Sequence, residues 1–277
     1  MSLREKLKKL KKRVAGLGSV VVAYSAGVDS TFLLVFAQKV LGDSVLAVTA
    51  RSETYPASEL REAKRLAKKL KIKHKIVKTG EFDDPLFKNN PPDRCYYCKK
   101  ELFSKLNKIA HRYRMNFVID GSNADDRLDY RPGAKAKYEL GVLSPLQEAG
   151  LTKSDIREAS RRLGLATWRK PALACLASRI SYNSPITKKR LRRIEGAEEF
   201  LKTRFHIKGN LRVRDLGKDA RIEVDQGEMN RLLDFKKFSS LLKSFGYRNA
   251  VVDLKGYRCG SLNEGMTYGE KRRKSSA

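Results

Sequence analysis

Several features that identify membrane, secreted or disulfide-rich proteins are missing from this sequence. Its longest apolar runs, such as residues 20–24 and 32–37, are far shorter than the roughly 18–20 residues that span a bilayer. The basic N-terminal segment has no apolar stretch that resembles a secretory signal. The chain has only four cysteines in 277 residues, too few for a disulfide scaffold, whereas its 41% hydrophobic content is enough for a folded core. We therefore expect a globular cytoplasmic protein without membrane association.

Acidic residues are also few in comparison with basic ones. Asp and Glu number 31 and Lys and Arg number 60, so the formal net charge is +29 at pH 7. A surplus of this size attracts polyanions such as nucleic acids and nucleotides. No RNP, KH or zinc-finger spacing accompanies the charge. Two interpretations therefore stay open, namely solvated basic surfaces and contact with RNA.

Helical and extended patterns alternate through the first two-thirds of the chain. Apolar residues recur at helical spacing in some segments, and short β-branched runs typical of buried strands lie between them. This alternation predicts an α/β fold with a doubly wound parallel sheet, which we assign to residues 1–185. The predicted helices cover residues 3–15, 31–41, 57–70, 100–113 and 152–163, and the predicted strands cover 19–24, 44–49, 73–78 and 117–120.

The pattern changes after an irregular stretch at residues 170–187. Residues 188–203 and 229–245 are predicted to be helical, and residues 211–214, 220–224 and 249–254 to be strands. We therefore predict a smaller C-terminal α+β domain at residues 186–277, for substrate binding or oligomerisation.

The sequence SAGVDS, residues 25–30, lies between the first predicted strand and the first helix of the sheet. A helix N-terminus at this position offers free N–H groups to an anion, and Gly27 permits close approach of a phosphate. Ser25 and Ser30 add hydroxyl donors, and Asp29 would repel a phosphate unless Mg²⁺ bridges the two. The chain has neither the GK[ST] of a Walker A loop nor a GxGxxG fingerprint. A turn without ligand, in which Asp29 only complements the helix dipole, is the competing interpretation.

The sequence contains four cysteines: Cys95, Cys98, Cys175 and Cys259. In a cytosolic chain, metal binding or catalysis is a commoner use of such residues than a disulfide. Cys95 and Cys98 form a CxxC motif in a predicted loop before the helix at 100–113. Such a motif is compatible with redox chemistry, half of a zinc site or part of an iron–sulfur site. Lys170 and Arg179 flank Cys175 and are expected to lower its thiol pKa, whereas Cys259 is interpreted as structural.

SAGVDS resembles the SGGxDS loop of the PP-loop ATP pyrophosphatases, with Ala26 in place of the first glycine. Taken with other segments, the whole chain resembles the LarE family of ATP-dependent sulfur-inserting enzymes, which act in nickel-pincer nucleotide synthesis for lactate racemase. The segments that carry the resemblance are SAGVDS, NPPDRCYYCKKELF (90–103), DGSNADD (120–126), DYRPG (129–133), SPL (144–146), KPALACLASRI (170–180) and LRVR (211–214).

This resemblance implies an adenine nucleotide alpha hydrolase-like fold and a reaction. ATP would bind with Mg²⁺ at the loop and adenylate a carboxylate of pyridinium biscarboxylic acid mononucleotide, after which sulfur replaces AMP to give a thiocarboxylate. In one branch of the family a cysteine in the 170–180 segment gives up its own sulfur. Other members hold a 4Fe–4S cluster on three cysteines, and this chain has that set in Cys95, Cys98 and Cys175. The cluster is therefore expected to carry the donor sulfide, with a sacrificial Cys175 or a zinc site as alternatives.

The resemblance also implies binding residues. Those expected to position ATP or Mg²⁺ are Ser25, Gly27, Asp29, Ser30, Asp125 and Asp126, with Asp29 and Cys175 also catalytic. Those expected to contact the substrate are Arg212, Arg214, Ser178 and Arg179. Arg212 and Arg214 lie two apart in a predicted strand and therefore share a face, as do Glu223 and Asp225, which could hold a metal or pair with those arginines.

Two other functions remain open. A PP-loop tRNA thiolase would explain both the cysteines and the basic charge, although its loop usually reads SGG. A basic nucleotide- or RNA-binding protein without catalysis would explain the charge alone. The expected partners are the nucleotide substrate, other proteins of the nickel-pincer pathway and further copies of this chain.

Overall fold

The computed structural model describes residues 1–128, 132–171, 174–232, 240–258 and 260–263. Its first part is built on a four-stranded sheet in which every pairing is parallel, with the order β3-β2-β1-β4. The strands are β1 (Val20–Ala23), β2 (Val45–Arg51), β3 (His74–Lys78) and β4 (Phe117–Ile119). The predicted α/β fold with a parallel sheet is thereby confirmed.

Helices surround this sheet. They are α1 (Leu3–Ala15), α2 (Val28–Leu41), α3 (Ala57–Lys69), α4 (Pro85–Lys88), α5 (Arg94–Arg112), α6 (Gly133–Glu139), α7 (Pro145–Glu148) and α8 (Lys153–Arg162). Thr152 and Asp155 form a capping box at the start of α8, because the Thr152 hydroxyl accepts from the Asp155 amide while the Asp155 carboxylate accepts from the Thr152 amide.

The sheet is covered on both faces because its central strand is apolar throughout. Val20 and Val22 pack into a core with α1, α2 and α8, whereas Val21 points the other way into a core with α5. Successive side chains of a strand alternate between faces, so a continuous apolar run requires a layer on each side. The sheet is therefore the middle of three layers, with α1, α2 and α8 on one face and α5 on the other.

Two boundaries differ from the sequence prediction in ways that matter for the site. The first helix of the sheet begins at Val28 rather than residue 31, so the phosphate-binding motif runs directly into its first turn. The helix predicted at residues 100–113 is α5, which begins at Arg94. The expectation that the CxxC motif lies in a loop before this helix is therefore wrong, since Cys95 and Cys98 occupy the beginning of α5.

The second part of the chain contains α9 (Lys188–Arg204) packed on a sheet of order β5-β6-β7. Strand β5 (Leu211–Leu216) is antiparallel to β6 (Asp219–Val224), which is parallel to β7 (Asn249–Val252). The predicted α+β arrangement is thus observed. The helix predicted at 229–245 begins instead within a 3₁₀ helix (Gln226–Leu232), and its residues 233–239 lie outside the described residues, as does Cys259.

Apolar residues from both parts form one cluster beside the segment that carries Cys175. Phe87 of α4, Leu176 and Ile180 pack there with Leu191 and Ile194 of α9. The boundary between residues 185 and 186 therefore stays a prediction, because the core is continuous across it. Within the described residues, no helix combines the length and the apolar character needed to cross a bilayer.

Candidate active site

The phosphate-binding loop joins the carboxyl end of β1 to the N-terminus of α2. Gly27 is the N-cap of α2, and no described side chain caps this helix. Its first amides therefore remain available to an anion, beside the positive end of the helix dipole. Ala26 is buried and has a φ of 56°, a left-handed conformation that glycine adopts without penalty. The conformation of a glycine is thus kept at this position although alanine occupies it, at a cost of about 1 kcal/mol.

The two serines of the motif face each other across the loop. Their hydroxyl oxygens are 3.0 Å apart, and the Ser25 amide donates to Ser30 Oγ at 3.2 Å. This contact closes the turn and directs both hydroxyls to one side. Ser25, Gly27 and Ser30 are therefore brought together as the sequence predicted, with Asp29 beside them on the first turn of α2.

Gly121, directly after β4, packs against the backbone of this loop. A Cβ atom at Gly121 would lie 3.0 Å from the Ser30 nitrogen and 3.2 Å from its Cα. Such contacts are tighter than almost all real Cβ contacts, so the absence of a side chain at residue 121 permits the close approach of this segment to the first turn of α2. The crevice between β1 and β4 is also where the strand order reverses, the position at which ligands bind in open α/β sheets.

We expect Gly121→Ala to raise the Kd for ATP by at least about tenfold, because the added methyl group displaces the first turn of α2. Isothermal titration calorimetry with a non-hydrolysable ATP analogue measures this effect. Gly227→Ala is the matched control, since a Cβ there meets no described atom within 4 Å. Equal affinity of the Gly121→Ala variant and the wild type would contradict the close approach.

Asp29 is paired with a lysine that is distant in sequence. Lys153, the first residue of α8, places Nζ 2.5 Å from Asp29 Oδ2, while Asp29 Oδ1 is enclosed without a hydrogen-bond partner among the described residues. Asp125 accepts a hydrogen bond from the Lys153 amide at 2.8 Å and so caps α8. The Asp126 carboxylate accepts from the Asn123 amide at 3.0 Å. Asp125 and Asp126 thus shape the border of the site through backbone contacts.

A second lysine links the phosphate-binding loop to the segment that leads to Cys175. Lys170 Nζ donates to the Ala26 carbonyl at 3.2 Å and lies 2.6 Å from the Glu59 carboxylate of α3. Because Lys170 is largely buried, this ion pair is shielded from solvent more than a surface pair would be. The loop and the cysteine-bearing segment are therefore fixed to each other.

Three cysteines converge, two of them from α5 and one from the segment that follows Lys170. Cys95 and Cys98 lie at the beginning of α5, and all three described cysteines are free thiols. Cys98 and Cys175 pack on the same apolar cluster as Phe87 and Leu176. In the described ranges, no three His, Cys, Asp or Glu side chains converge closely enough to share one metal ion. The structure thus groups the predicted cysteines without forming a single-ion site.

The electrostatic environment of Cys175 differs from the expectation. Burial raises the pKa of its thiol, so the lowering expected from Lys170 and Arg179 is wrong. The cation that opposes this rise is Arg94, a buried residue whose guanidinium lies 4.8 Å from the centre of the Tyr182 ring. Burial thus raises the pKa of the Cys175 thiol more than the positive charge of Arg94 lowers it.

Arg179 is enclosed by protein groups. Its guanidinium forms a double contact with the buried Glu198 carboxylate of α9 at 2.8 and 3.1 Å, and it donates to the carbonyls of Ala174 and Cys175 at 2.8 and 3.0 Å. Ser178 donates its hydroxyl to the Cys175 carbonyl at 2.7 Å. Both residues thus hold the loop that carries Cys175, and Arg179 also lines a cavity of about 270 Å³ beside Arg214.

The predicted arginine pair lies at buried positions of β5. Arg212 stacks on the Tyr257 ring at 5.2 Å, and Arg214 pairs with Glu223 of β6 at 2.6 Å, as one of the sequence interpretations held. Asp225 does not join them, since it accepts from the Asn210 amide at 2.7 Å. Arg214 Nε has no hydrogen-bond partner among the described residues. Arg214 also borders a cavity of about 270 Å³.

Sequence patterns alone indicate no role for Lys153 or the buried carboxylate Glu81, and they assign Lys170 to Cys175 rather than to the loop at residues 25–30. Their roles depend on partners far along the chain, since Lys153 is 124 residues from Asp29 and Lys170 is 144 residues from Ala26. One signal was available for Lys153, because a lysine at the beginning of the helix predicted at residues 152–163 opposes the helix dipole and so requires another explanation.

The chain is similar to several known proteins. A family model for NAD synthase matches residues 2–144. The chain is 38% identical to an uncharacterized protein of Synechocystis sp., over 96% of this chain and 99% of the relative. It is also 38% identical to the pyridinium-3,5-bisthiocarboxylic acid mononucleotide synthase of Lactiplantibacillus plantarum, over 91% of each chain.

A more distant similarity covers about half of the chain. A probable tRNA sulfurtransferase of Methanobrevibacter smithii is 27% identical over 53% of this chain and 41% of the relative. The similarity to the L. plantarum synthase, by contrast, includes the second part of the chain, where Arg212 and Arg214 lie.

Proposed function

The chain belongs to the LarE family of PP-loop enzymes, and from this membership we propose that it converts a carboxylate of pyridinium biscarboxylic acid mononucleotide into a thiocarboxylate at the expense of ATP. Adenylation attaches AMP as a leaving group and releases pyrophosphate, and sulfur then displaces AMP. The observation that carries the proposal is the contact from Lys170 to Ala26 at 3.2 Å, because it fixes the cysteine-bearing segment to the phosphate-binding loop. Activation and sulfur transfer can thus occur on one bound substrate.

At the ATP end, we assign the phosphates to the free amides of α2 and the hydroxyls of Ser25 and Ser30. Mg²⁺ is assigned to Asp29, whose Oδ1 lacks a partner among the described residues. Lys153 already lies beside Asp29 and supplies a positive charge for the β- and γ-phosphates. Asp125 and Asp126 are assigned to the second layer, where they hold the N-terminus of α8.

At the sulfur end, we assign a 4Fe–4S cluster to Cys95, Cys98 and Cys175. The donors fit in type, since thiolates are the usual ligands of such clusters. Each cysteine would ligate a different iron, so the three need not converge on one point. Burial raises the pKa of Cys98 and Cys175, so these groups favour the protonated thiol in the absence of a positive centre. When bound, the cluster would supply the donor sulfide. Arg179 and Ser178 would hold Cys175 in position through its carbonyl.

The substrate is assigned to the cavity that Arg214 borders. Its lining includes Tyr182, Arg221 and Ser261, and Arg214 Nη1 donates to the Ser178 carbonyl at 2.7 Å. Arg214 therefore connects this cavity to the loop that carries Cys175. A phosphate or carboxylate is the group that such an arginine recognises, and Arg212 on the same strand is assigned to the same substrate.

The proposal predicts that activation and sulfur transfer separate in Cys175→Ser. Anaerobic assays with ATP and the dicarboxylate mononucleotide should show pyrophosphate release close to that of the wild type, while the thiocarboxylate disappears from the mass spectrum. The matched control is Cys259→Ser, which removes a thiol that the proposal does not use and should leave both products unchanged. Substrate-independent pyrophosphate release, or thiocarboxylate formed by Cys175→Ser, would contradict the assignment.

The same assay tests the source of the sulfur. An iron content of about four per chain, together with an unmodified Cys175 after several turnovers, would support the cluster. A single turnover that converts Cys175 to dehydroalanine would identify the cysteine itself as the donor. Transfer RNA serves as the comparison substrate, because the similarity to a tRNA sulfurtransferase is the more distant one.

We also propose a cytoplasmic location, where thiols stay reduced, a homo-oligomeric assembly and contact with other nickel-pincer proteins.

A further inference from the structure

Glu81 is a buried carboxylate close to the cysteines, and the proposed reaction leaves it without a role. It is only 2% exposed and lies in a 3₁₀ helix (Glu81–Asp83) between β3 and α4. Its Oε1 accepts hydrogen bonds from the hydroxyls of Ser52 and Thr54, whereas its Oε2 is enclosed without a partner among the described residues. An ionised carboxylate in such a place is costly unless a cation or metal compensates it.

Two independent contacts place Glu81 beside the cysteines. Thr54, which donates to Glu81 Oε1 at 3.4 Å, accepts at its own carbonyl from the Leu176 amide at 2.7 Å, directly after Cys175. Phe82, the next residue after Glu81, packs on the apolar cluster that Cys98 and Cys175 also contact. Both contacts bring Glu81 close to the segment that carries Cys175 and to the apolar cluster that Cys98 contacts.

We propose that Glu81 is the fourth protein donor of the iron–sulfur site, an inference that rests on the proposed function. Three cysteines leave one of four irons without a protein ligand, and carboxylate oxygen is an established ligand of iron. The free Oε2 of Glu81 supplies such a ligand from a third segment, the 3₁₀ helix before α4, which carries none of the cysteines. The hydrogen bonds from Ser52 and Thr54 to Oε1 orient the carboxylate, as second-layer partners do at metal sites.

This role makes the fourth iron exchangeable rather than permanently open. A hydrosulfide bound there would replace the iron–oxygen bond with an iron–sulfur bond. One monovalent anion would replace another, so no electron would be transferred, and the hydroxyls of Ser52 and Thr54 would still donate to the released carboxylate. Glu81 therefore protects the iron between turnovers and competes with the incoming sulfur.

The test compares four proteins reconstituted with ferrous iron and sulfide in the absence of oxygen. These are the wild type, Glu81→Gln, Glu81→Cys and Asp83→Asn, the last being a matched loss of one carboxylate on the same short helix but at an exposed position. Iron content, the electron paramagnetic resonance spectrum of the reduced cluster and a hydrosulfide titration of that spectrum are measured. None of these measurements requires turnover.

We expect all four proteins to retain about four irons, because three thiolates suffice to hold the cluster. Glu81→Gln should shift the spectrum and tighten hydrosulfide binding by about tenfold, since the internal competitor is lost. Glu81→Cys should hold the fourth iron with a thiolate and weaken hydrosulfide binding by at least about tenfold. Asp83→Asn should match the wild type in every measurement.

An iron-loaded wild type whose spectrum and hydrosulfide affinity are shared by Glu81→Gln would overturn the role of Glu81 and leave the proposed function intact. If Glu81→Gln does not fold, the Glu81→Cys protein decides, and unchanged hydrosulfide affinity there overturns the inference. A wild type that binds no iron while still forming thiocarboxylate would overturn the cluster and Glu81 together, but not the sulfur-transfer reaction.

Discussion

Asp29→Asn is expected to slow pyrophosphate release by a factor on the order of 10²–10³, with little change in the affinity for ATP. The carboxylate is the charged oxygen donor of the loop, and its Oδ1 has no partner among the described residues, so a metal bound there loses its anionic ligand. The asparagine also removes the charge that repels the phosphates, while Lys153 keeps its own. Binding is therefore preserved and the chemical step is impaired.

Steady-state assays of pyrophosphate release, with Mg²⁺ and ATP varied independently, separate these two effects. Asp43→Asn is the matched control, because Asp43 lies just after α2 and its side chain is almost fully exposed. The control should behave as the wild type does. A large rise in KM for ATP with an unchanged kcat in Asp29→Asn would show that Asp29 serves binding alone, and the assignment of Mg²⁺ to it would be lost.

Arg179→Met is expected to lower the free energy of unfolding by about 3–5 kcal/mol. The guanidinium is almost completely buried, and its removal leaves the Glu198 carboxylate uncompensated in the interior. Glu198 also accepts from the Val213 amide of β5 at 3.0 Å, so the disturbance extends from the Cys175 loop into the second sheet. The iron-binding capacity should fall along with the stability, because Arg179 holds the Cys175 carbonyl.

Urea unfolding followed by the fluorescence of Trp168, the only tryptophan, measures this loss. Arg192→Met on the exposed side of α9 is the matched control and should change stability by less than about 0.5 kcal/mol. The double variant Arg179→Met/Glu198→Leu should recover part of the loss, since it removes the unpaired charge. If the single Arg179 variant were as stable as the wild type, the Arg179–Glu198 pair would position the Cys175 loop without stabilising the fold.

The architecture was predictable because its signals are local. The apolar run of β1, with its faces on two cores, required a sheet covered on both sides, and the capping box of Thr152 and Asp155 fixed the start of α8. The start of α5 was missed for a physical reason. Its first turn carries Arg94 and the CxxC motif rather than an apolar stripe, and the apolar spacing begins only near Leu102.

The site was predictable only where its residues are contiguous. Ser25, Gly27, Asp29 and Ser30 lie in one motif, whereas the partners of Asp29 and Ala26 are lysines from distant segments. The sign of the pKa shift at Cys175 was also wrong, because sequence shows nearby cations but not the burial that outweighs them. Lys170 instead pairs with Glu59, and Arg179 with Glu198.

The Arg179–Glu198 pair also sets the order in which the proposed sulfur site is assembled during synthesis. Cys95 and Cys98 leave the ribosome long before Cys175, and the loop of Cys175 is held only after Glu198 and Val213 have followed. Because N-terminal segments fold first as a chain is made, the phosphate-binding sheet stands complete while the cysteine site is still open. If the proposed cluster were loaded at that stage, it would meet two of its three thiol ligands, and the third would be held in place only once the Arg179–Glu198 pair has formed.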